Sequence, residues 1–333
     1  MQSHAYYSFE IERLAKILKH MRARVVLIQL PDGLKPHSVY LKRELSNKLP
    51  GIRVFFSGKG TYGPCDIAFD EAITVGADVI VHYGHPPIRY AKSEIPIIYM
   101  PAKIKVEVDP QVVIDEIAKR RYKRIGLSAI IQYVDLLDVV YNKLKDIGIE
   151  VYVGRGANAY RGVVLGCDYS AAISINSYVD AHIIIASGKF HGLGLKIATG
   201  KDVLIYDPLR NEVMSIEREY RRRLSLKLKQ LIDAEKATLF AVIICKKAGQ
   251  FNMMMALKAM QLLRESNREY ISIIVDEITP ASLENFTYVD AFINTCCPRI
   301  AIDDIDRFNK PILSLYDLRT ILKGEVNQYS LRL

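Results

Sequence analysis

The cysteines and a few loop histidines are the residues of this 333-residue chain whose types and spacing could do chemistry. Cys65 precedes Asp78 by 13 residues, and Cys167 precedes Asp180 by the same 13. A third aspartate, Asp290, has Glu277 at that offset; its thiol comes from the other side, Cys297 following it by seven. The same seven-residue step from the first two aspartates lands on His85 and Ser187. Three dispersed thiolates make a poor structural zinc site, which usually shows local C-x₂₋₄-C pairs. On an iron–sulfur cluster they would leave one iron without a protein ligand, open to a substrate, where ordinary ligation takes four cysteines. The plainer alternative is that the thiols never meet and act as small buried hydrophobes. Cys245, which ends the apolar run LFAVIIC (239–245), fits that fate. Five cysteines so unevenly placed are no disulfide framework.

Two histidines, His82 and His85, flank Tyr83-Gly84, and His191 lies in the glycine-rich stretch 187–194. Glycines there let backbone come close to a ligand, although a loop histidine can also be a hydrogen-bonded structural residue. Two nucleotide-like motifs are discounted. Gly58-Lys59-Gly60-Thr61 lacks the Ser or Thr that should follow the lysine, and Arg53 stands where a P-loop needs its first glycine. Gly154-Arg155-Gly156-Ala157-Asn158-Ala159 fits G-x-G-x-x-G/A, but after the second strand of its unit rather than the first.

The elements that must position these residues repeat three times. The first set is RVVLIQL (24–30), an amphipathic segment at 36–48, IRVFF (52–56), ADVIVHYG (77–84) and IPIIYMP (95–101). The second is RIGLSAI (124–130), a helical segment at 134–147, EVYVG (150–154), DAHIIIASG (180–188) and DVLIYDP (202–208). The third is LFAVIIC, a helical segment at 252–266, YISIIVD (270–276), DAFINT (290–295) and PILSLYD (311–317). Val- and Ile-rich strands alternating with helices predict parallel α/β units covered on both faces. Asp78, Asp180 and Asp290 open equivalent elements 102 and 110 residues apart. The expected architecture is three repeated small parallel-sheet α/β domains, over 1–103, 104–210 and 211–333. In a pseudo-threefold arrangement they could aim one loop each at a shared cluster site, since ligands collect at the carboxyl ends of strands in open α/β sheets.

Composition narrows the class. Half of the residues are hydrophobic, a quarter charged and none is Trp, which excludes disordered, collagenous and coiled-coil chains. Glu10 and Glu12 fall where a signal peptide would place its apolar run, and no stretch approaches the roughly 20 apolar residues of a bilayer span. A soluble, cytoplasmic protein is expected, with no membrane partner. The net charge of +9 suits an acidic partner, a nucleic acid or simple solubility. Its densest basic stretch, 218–229, reads as one exposed helix face.

At this point the motifs resemble a known family. Leu30-Pro31-Asp32-Gly33-Leu34, Thr61-Tyr62-Gly63-Pro64-Cys65-Asp66, Val81-His82-Tyr83-Gly84-His85 and Leu165-Gly166-Cys167 carry the likeness. So do Phe190-His191 through Ala198-Thr199-Gly200-Lys201, and the run from Asn294-Thr295-Cys296-Cys297-Pro298-Arg299 to Asp304. In order and across nearly the whole chain, they resemble the archaeal enzymes of the first step of diphthamide biosynthesis. The resemblance implies a homodimer whose subunits each hold a [4Fe–4S] cluster on Cys65, Cys167 and Cys297, with S-adenosylmethionine on the fourth iron. It implies a non-classical radical enzyme, and this chain likewise lacks the CxxxCxxC loop of ordinary radical enzymes. The 3-amino-3-carboxypropyl group would pass from S-adenosylmethionine to a histidine imidazole of translation elongation factor 2, with methylthioadenosine released. An electron donor is a further implied partner, and no direct nucleic-acid contact is expected. His85, His191, Gln250, Gly33 and Ser187, with loop amides, are the candidates for holding the cofactor. Two departures stand out: the family commonly has Ala where Cys296 is, and often Ala where Pro64 is.

Two alternatives differ in kind. A quinolinate-synthase-like dehydratase or lyase would also use three cysteines and an open iron, but as a Lewis acid. A non-enzymatic basic binding module would hold neither iron nor sulfide.

Overall fold

The computed structural model of the chain describes residues 6–88, 94–157 and 160–333. Strand β1 (Tyr7–Ser8) comes first. The first sheet contains β2 (Val25–Gln29), β3 (Arg53–Phe56), β4 (Val79–Tyr83) and β5 (Ile97–Met100), after which β6 (Lys103–Ile104) returns antiparallel to β1. The second sheet contains β7 (Arg124–Ala129), β8 (Glu150–Tyr152), β9 (Ala181–Ile185), β10 (Asp202–Asp207) and β11 (Glu212–Ser215). The third contains β12 (Leu239–Cys245), β13 (Glu269–Val275), β14 (Ala291–Asn294) and β15 (Ile312–Leu313).

All three sheets have the same order. It reads β3-β2-β4-β5, then β8-β7-β9-β10 with β11 added at the edge, then β13-β12-β14-β15. In repeat terms each is second–first–third–fourth, and the pairings among these four are parallel. The threefold α/β reading of the sequence is therefore the architecture observed. Central strands such as β2, β4, β9 and β14 are buried along their whole length, as Val/Ile-rich strands covered on both faces must be. Helices supply the cover: Ile11–His20 turns Leu14, Ala15 and Leu18 inward at helical spacing.

That order creates one geometric singularity per sheet. From the first strand the chain moves to one side, and from the third strand it moves to the other. The carboxyl ends of first and third strands therefore diverge, leaving the crevice where open α/β sheets bind ligands. Gly33 follows β2 and His85 follows β4; Ser187 follows β9; Gln250 follows β12 and Cys297 follows β14.

At the opposite edge, the three repeated aspartates have one structural job. Asp78 Oδ2 accepts the backbone N–H groups of Arg24 (2.7 Å) and Val25 (2.8 Å). Asp180 Oδ2 accepts those of Lys123 (3.1 Å) and Arg124 (2.9 Å). Asp290 Oδ2 accepts those of Thr238 (2.8 Å) and Leu239 (2.9 Å). Each clamps the start of the third strand to the start of the first. Backbone N–H groups hold Asp78 and Asp290 below the usual carboxylate range; at Asp180 the Arg124 side chain contributes most.

One expectation is corrected in the third sheet's cover. The basic stretch 218–229 lies on helix Glu217–Glu235, but it is not one exposed face. Lys227 is completely buried, on the stripe that continues with Leu231 and Ala234. Its Nζ lies 3.0 Å from both Asp317 Oδ2 and the Ile312 carbonyl, while Tyr329 donates to Asp317 Oδ1 at 2.6 Å. A buried ammonium is tolerated only when paired and hydrogen-bonded in this way; burial still pulls Lys227 below its ordinary value. Arg223 is also nearly covered, held by Glu219 and Asp306.

The chain divides into two compact units: residues up to His191 with Lys201–Met214, and Gly192–Gly200 with Ser215–Leu333. Among the described residues no helix is long and apolar enough to cross a membrane.

Two predictions follow from these contacts. Carboxylates held low in the folded state contribute stability above their unfolded value near pH 4 and lose it as pH falls through the folded value. Changing Asp78, Asp180 and Asp290 together to Asn should flatten the acid limb of the unfolding midpoint, measured by circular dichroism between about pH 5 and 2. An unchanged limb would contradict the clamp. Separately, Lys227→Met strands the Asp317 charge and should cost about 3–5 kcal/mol in denaturant unfolding, most of it recovered in Lys227→Met/Asp317→Leu.

Candidate cluster and cofactor site

Cys65 is half-buried on the segment between β3 and the helix Phe69–Val75. A turn closes it, with Asp66 N–H donating to the Gly63 carbonyl at 3.1 Å. The segment is anchored by Gln29, a polar residue at the end of the otherwise apolar β2. Gln29 Nε2 donates to the Asp66 carbonyl, and Gln29 Oε1 accepts Ala68 N–H at 3.2 Å. The same Oε1 lies 3.1 Å from His82 Nδ1, and His82 Nε2 lies 3.0 Å from His85 Nδ1. One continuous set of hydrogen bonds thus joins the Cys65 loop to His85. Burial lowers both imidazoles, His82 well below its ordinary value and His85 to about 4, so both are neutral near pH 7.

Among the described residues, buried hydroxyls beside this loop lack protein partners. They are Ser57 and Thr61, which precede Cys65, and Tyr99 on β5, whose ring packs 5.5 Å from that of His82. Burial, and then the nearby Cys65, push the Tyr99 phenol up. Buried polar groups are normally satisfied, so orphaned hydroxyls next to a thiol fit a polar or anionic group docking there.

Cys167 is exposed at the tip of a two-residue turn, in which Leu165 and Asp168 exchange backbone hydrogen bonds of 2.9 and 3.3 Å. Its neighbour Gly166 lies flat on Phe190; a Cβ there would come within 2.6 Å of the ring. Phe190 stacks edge-on against His191 at 5.0 Å. Gly166, the neighbour of Cys167, and His191, in the first turn of the helix Phe190–Thr199, therefore both lie against one aromatic ring. Ser187 is already engaged: it donates to Asp207 Oδ1 (3.2 Å) and so accepts from Tyr133 (2.7 Å), whose phenol burial pushes up to about 12. Ser187, Lys189, Asp207, Arg210 and Met214 line a cavity of about 350 Å³.

In the third sheet the adjoining thiols separate. Cys296 packs against the apolar cluster containing Cys245, with its Sγ 3.6 Å from the Ile243 carbonyl. A hydrogen bond to Cys296, then burial, push the Cys245 thiol up. Cys297 is outside that cluster, on a turn stapled by Asn294, which donates to the Cys297 carbonyl (2.7 Å) and accepts Cys296 N–H (3.0 Å). Gln250 lies on the turn after β12, its N–H donating to the Lys247 carbonyl at 2.9 Å. Gly33, exposed on the 3₁₀ turn Asp32–His37 whose Leu34 and His37 are buried, has open space around it.

Cys65 and Cys167 lie in one compact unit and Cys297 in the other. Among the described residues no three His, Cys, Asp or Glu side chains crowd closely enough to share one metal ion. A four-iron cluster makes a different demand, one thiolate per iron; none of the three cysteines is in a disulfide and none is fully buried.

The discounted G-x-G match has a packing explanation. A Cβ at Gly154 would lie 1.8 Å from the Ala171 carbonyl, and one at Gly156 would lie 2.3 Å from Ser170 Oγ. These glycines admit a neighbouring backbone; Asn158 and Ala159, which complete the match, lie outside the described residues. Sequence reasoning missed Gln29, His82 as a linker, and Tyr99. A lone amide inside RVVLIQL was the available signal, since a buried polar side chain needs partners.

Comparison with known proteins agrees with this picture. Over residues 30–330 the chain matches the family described as "Putative diphthamide synthesis protein". It is 33% identical over 314 residues to the 2-(3-amino-3-carboxypropyl)histidine synthase of Pyrococcus horikoshii, covering 93% of this chain and 89% of that protein. The Methanocaldococcus jannaschii protein of that name is 26% identical over 336 residues, 96% and 91% of the two chains. The crystal structure of Dph2 from Pyrococcus horikoshii with a 4Fe-4S cluster matches with a TM-score of 0.87 at 30% identity, covering 98% of this chain and 94% of that one. Fold and relatives together define a three-sheet α/β enzyme, a transferase. The chain belongs to the diphthamide synthesis protein family, whose cofactors are a [4Fe–4S] cluster and S-adenosylmethionine.

Glycine at the first crevice gives a direct test. Gly84 has φ +84°, and a Cβ there would lie 2.9 Å from Pro31 of the facing loop. Gly84→Ala should cost about 1–3 kcal/mol in thermal or denaturant unfolding, whereas Gly33→Ala, with nothing within 4 Å, should be nearly neutral. Equal effects would contradict the close approach of the two loops.

Proposed function

We propose that the chain transfers the 3-amino-3-carboxypropyl group of S-adenosylmethionine to a histidine imidazole of translation elongation factor 2, as the first step of diphthamide synthesis. One observation carries the reading: the family match spans residues 30–330, and within it the candidate ligands Cys65, Cys167 and Cys297 stand on loops outside any disulfide and are not fully buried. Family membership favours this reaction over a dehydratase or a basic binding module. The protein acts as a cytoplasmic homodimer supplied by an electron donor.

Cys65, Cys167 and Cys297 hold the [4Fe–4S] cluster, leaving one iron for S-adenosylmethionine; when bound, this pair supplies the radical cleavage of the sulfur–Cγ bond. The protein's own groups bind and orient. His85, His191 and Gln250, with the backbone at Gly33 and Ser187, hold the amino and carboxylate ends. Ser187 contributes chiefly through its loop, its hydroxyl being committed to Tyr133 and Asp207. Cys296, turned toward Cys245, is kept away from iron.

Anaerobic reconstitution of the five single Cys→Ala variants tests the ligand set. Changing Cys65, Cys167 or Cys297 should remove most cluster iron and all activity, while the Cys296 and Cys245 variants should retain both. Cys245→Ala should lose about 1 kcal/mol or somewhat more in stability. A colourless Cys296 variant beside a cluster-bearing Cys297 variant would shift the ligand by one residue. For the substrate, label from carboxyl-labelled S-adenosylmethionine should reach elongation factor 2 and not its His-to-Ala variant. Equal labelling of both would reject the proposed acceptor.

A further inference from the structure

The hydrogen bonds around Gln29 settle where the protons on two histidines sit. Ala68 N–H can only donate and the Asp66 carbonyl can only accept, so the Gln29 amide has one orientation, with Oε1 toward Ala68 and His82 and Nε2 toward Asp66. His82 Nδ1, 3.1 Å from that oxygen, must carry its proton. In the neutral ring Nε2 is then an acceptor, and His85 Nδ1, 3.0 Å away, must donate to it. The neutral His85 ring has no second proton. Its Nε2 is left as a bare lone pair, on a half-buried side chain at the carboxyl end of β4.

We propose that Gln29 and His82 are positioning residues that hold His85 in the Nδ1–H tautomer, making its Nε2 an obligate acceptor that selects a ligand bearing an N–H donor. Neither positioning residue needs to touch the ligand. The polarity starts from two backbone groups of the Cys65 loop, so the loop carrying a candidate cluster ligand also sets which atom of His85 recognises substrate. A donor of suitable chemistry is the α-ammonium of an amino acid; identifying it with that of S-adenosylmethionine rests on the proposed function. A free-carboxylate end would be repelled by the same lone pair, which orients the aminocarboxypropyl portion.

The tautomer can be read without turnover. Two-bond ¹H–¹⁵N correlation spectra of the full-length chain labelled at histidine, with His85→Asn used for assignment, should show a protonated Nδ1 and a pyridine-type Nε2 on His85. Gln29→Leu should give a tautomer mixture. Binding of S-adenosylmethionine to the reconstituted, unreduced protein should weaken about tenfold in Gln29→Leu, the scale of one hydrogen bond to a charged group. The analogue lacking the α-amino group should bind both proteins equally weakly. A protonated Nε2 in the unaltered protein would overturn the inference even if Gln29→Leu failed to fold. An unchanged tautomer in folded Gln29→Leu would overturn the positioning roles, and equal affinity of the unaltered protein for both ligands would overturn ammonium selection. If the unaltered protein shows the Nδ1–H spectrum but no affinity for S-adenosylmethionine, it is the proposed function that fails, and the ammonium assignment with it.

Discussion

Everything functional in this chain depends on the parallel pairing of the first strand with the third. That pairing puts the second strand on one flank and the fourth on the other, in all three sheets. Chain leaving the two central strands must then diverge, and a crevice opens at their carboxyl ends without any residue being chosen for it. The aspartates at the far edge tie these two strands together, one carboxylate oxygen accepting two backbone N–H groups that any strand start could donate. Frame and crevice are thus opposite ends of one constraint.

The crevice of the first sheet shows how a buried polar group becomes informative. In a covered strand an amide must find its full set of partners or impose a desolvation cost. Gln29 finds three partners, two in the Cys65 loop and one in His82, and those bonds fix a direction as well as a position. The second sheet repeats the logic with hydroxyls: Tyr133 donates to Ser187 because Ser187 has spent its proton on Asp207. In the third sheet an amide again does the stapling, Asn294 holding both sides of the Cys296–Cys297 turn.

Much of this was legible in the sequence. Runs such as VVLIQ, VIVHY and AHIII announce covered parallel strands, and the spacing of Asp78, Asp180 and Asp290 reveals the repeat because strand order is copied with it. The candidate residues after β2, β4, β9, β12 and β14 were found because loop position follows from topology. What stayed hidden were partnerships across distance. Lys227 looks like a member of an exposed basic face until Asp317, 90 residues on, supplies its counter-charge. Gln29 and His82 are 53 residues apart and meet only because their strands are in register. Periodicity reports which face a residue occupies, not which side chain waits opposite.

The separation of the aspartate clamps from the ligand loops has a consequence for how such a molecule can change over evolutionary time. Because strand alignment is secured at one rim, the other rim is free to be rewritten loop by loop without risking the scaffold. The third repeat bears that freedom out: its thiol stands after the third strand, where the first two repeats keep theirs after the second, yet its strand order and its aspartate clamp are the same. A triplicated frame of this kind tolerates asymmetric innovation, and three scaffolds of one strand order can come to carry three unequal sets of loops.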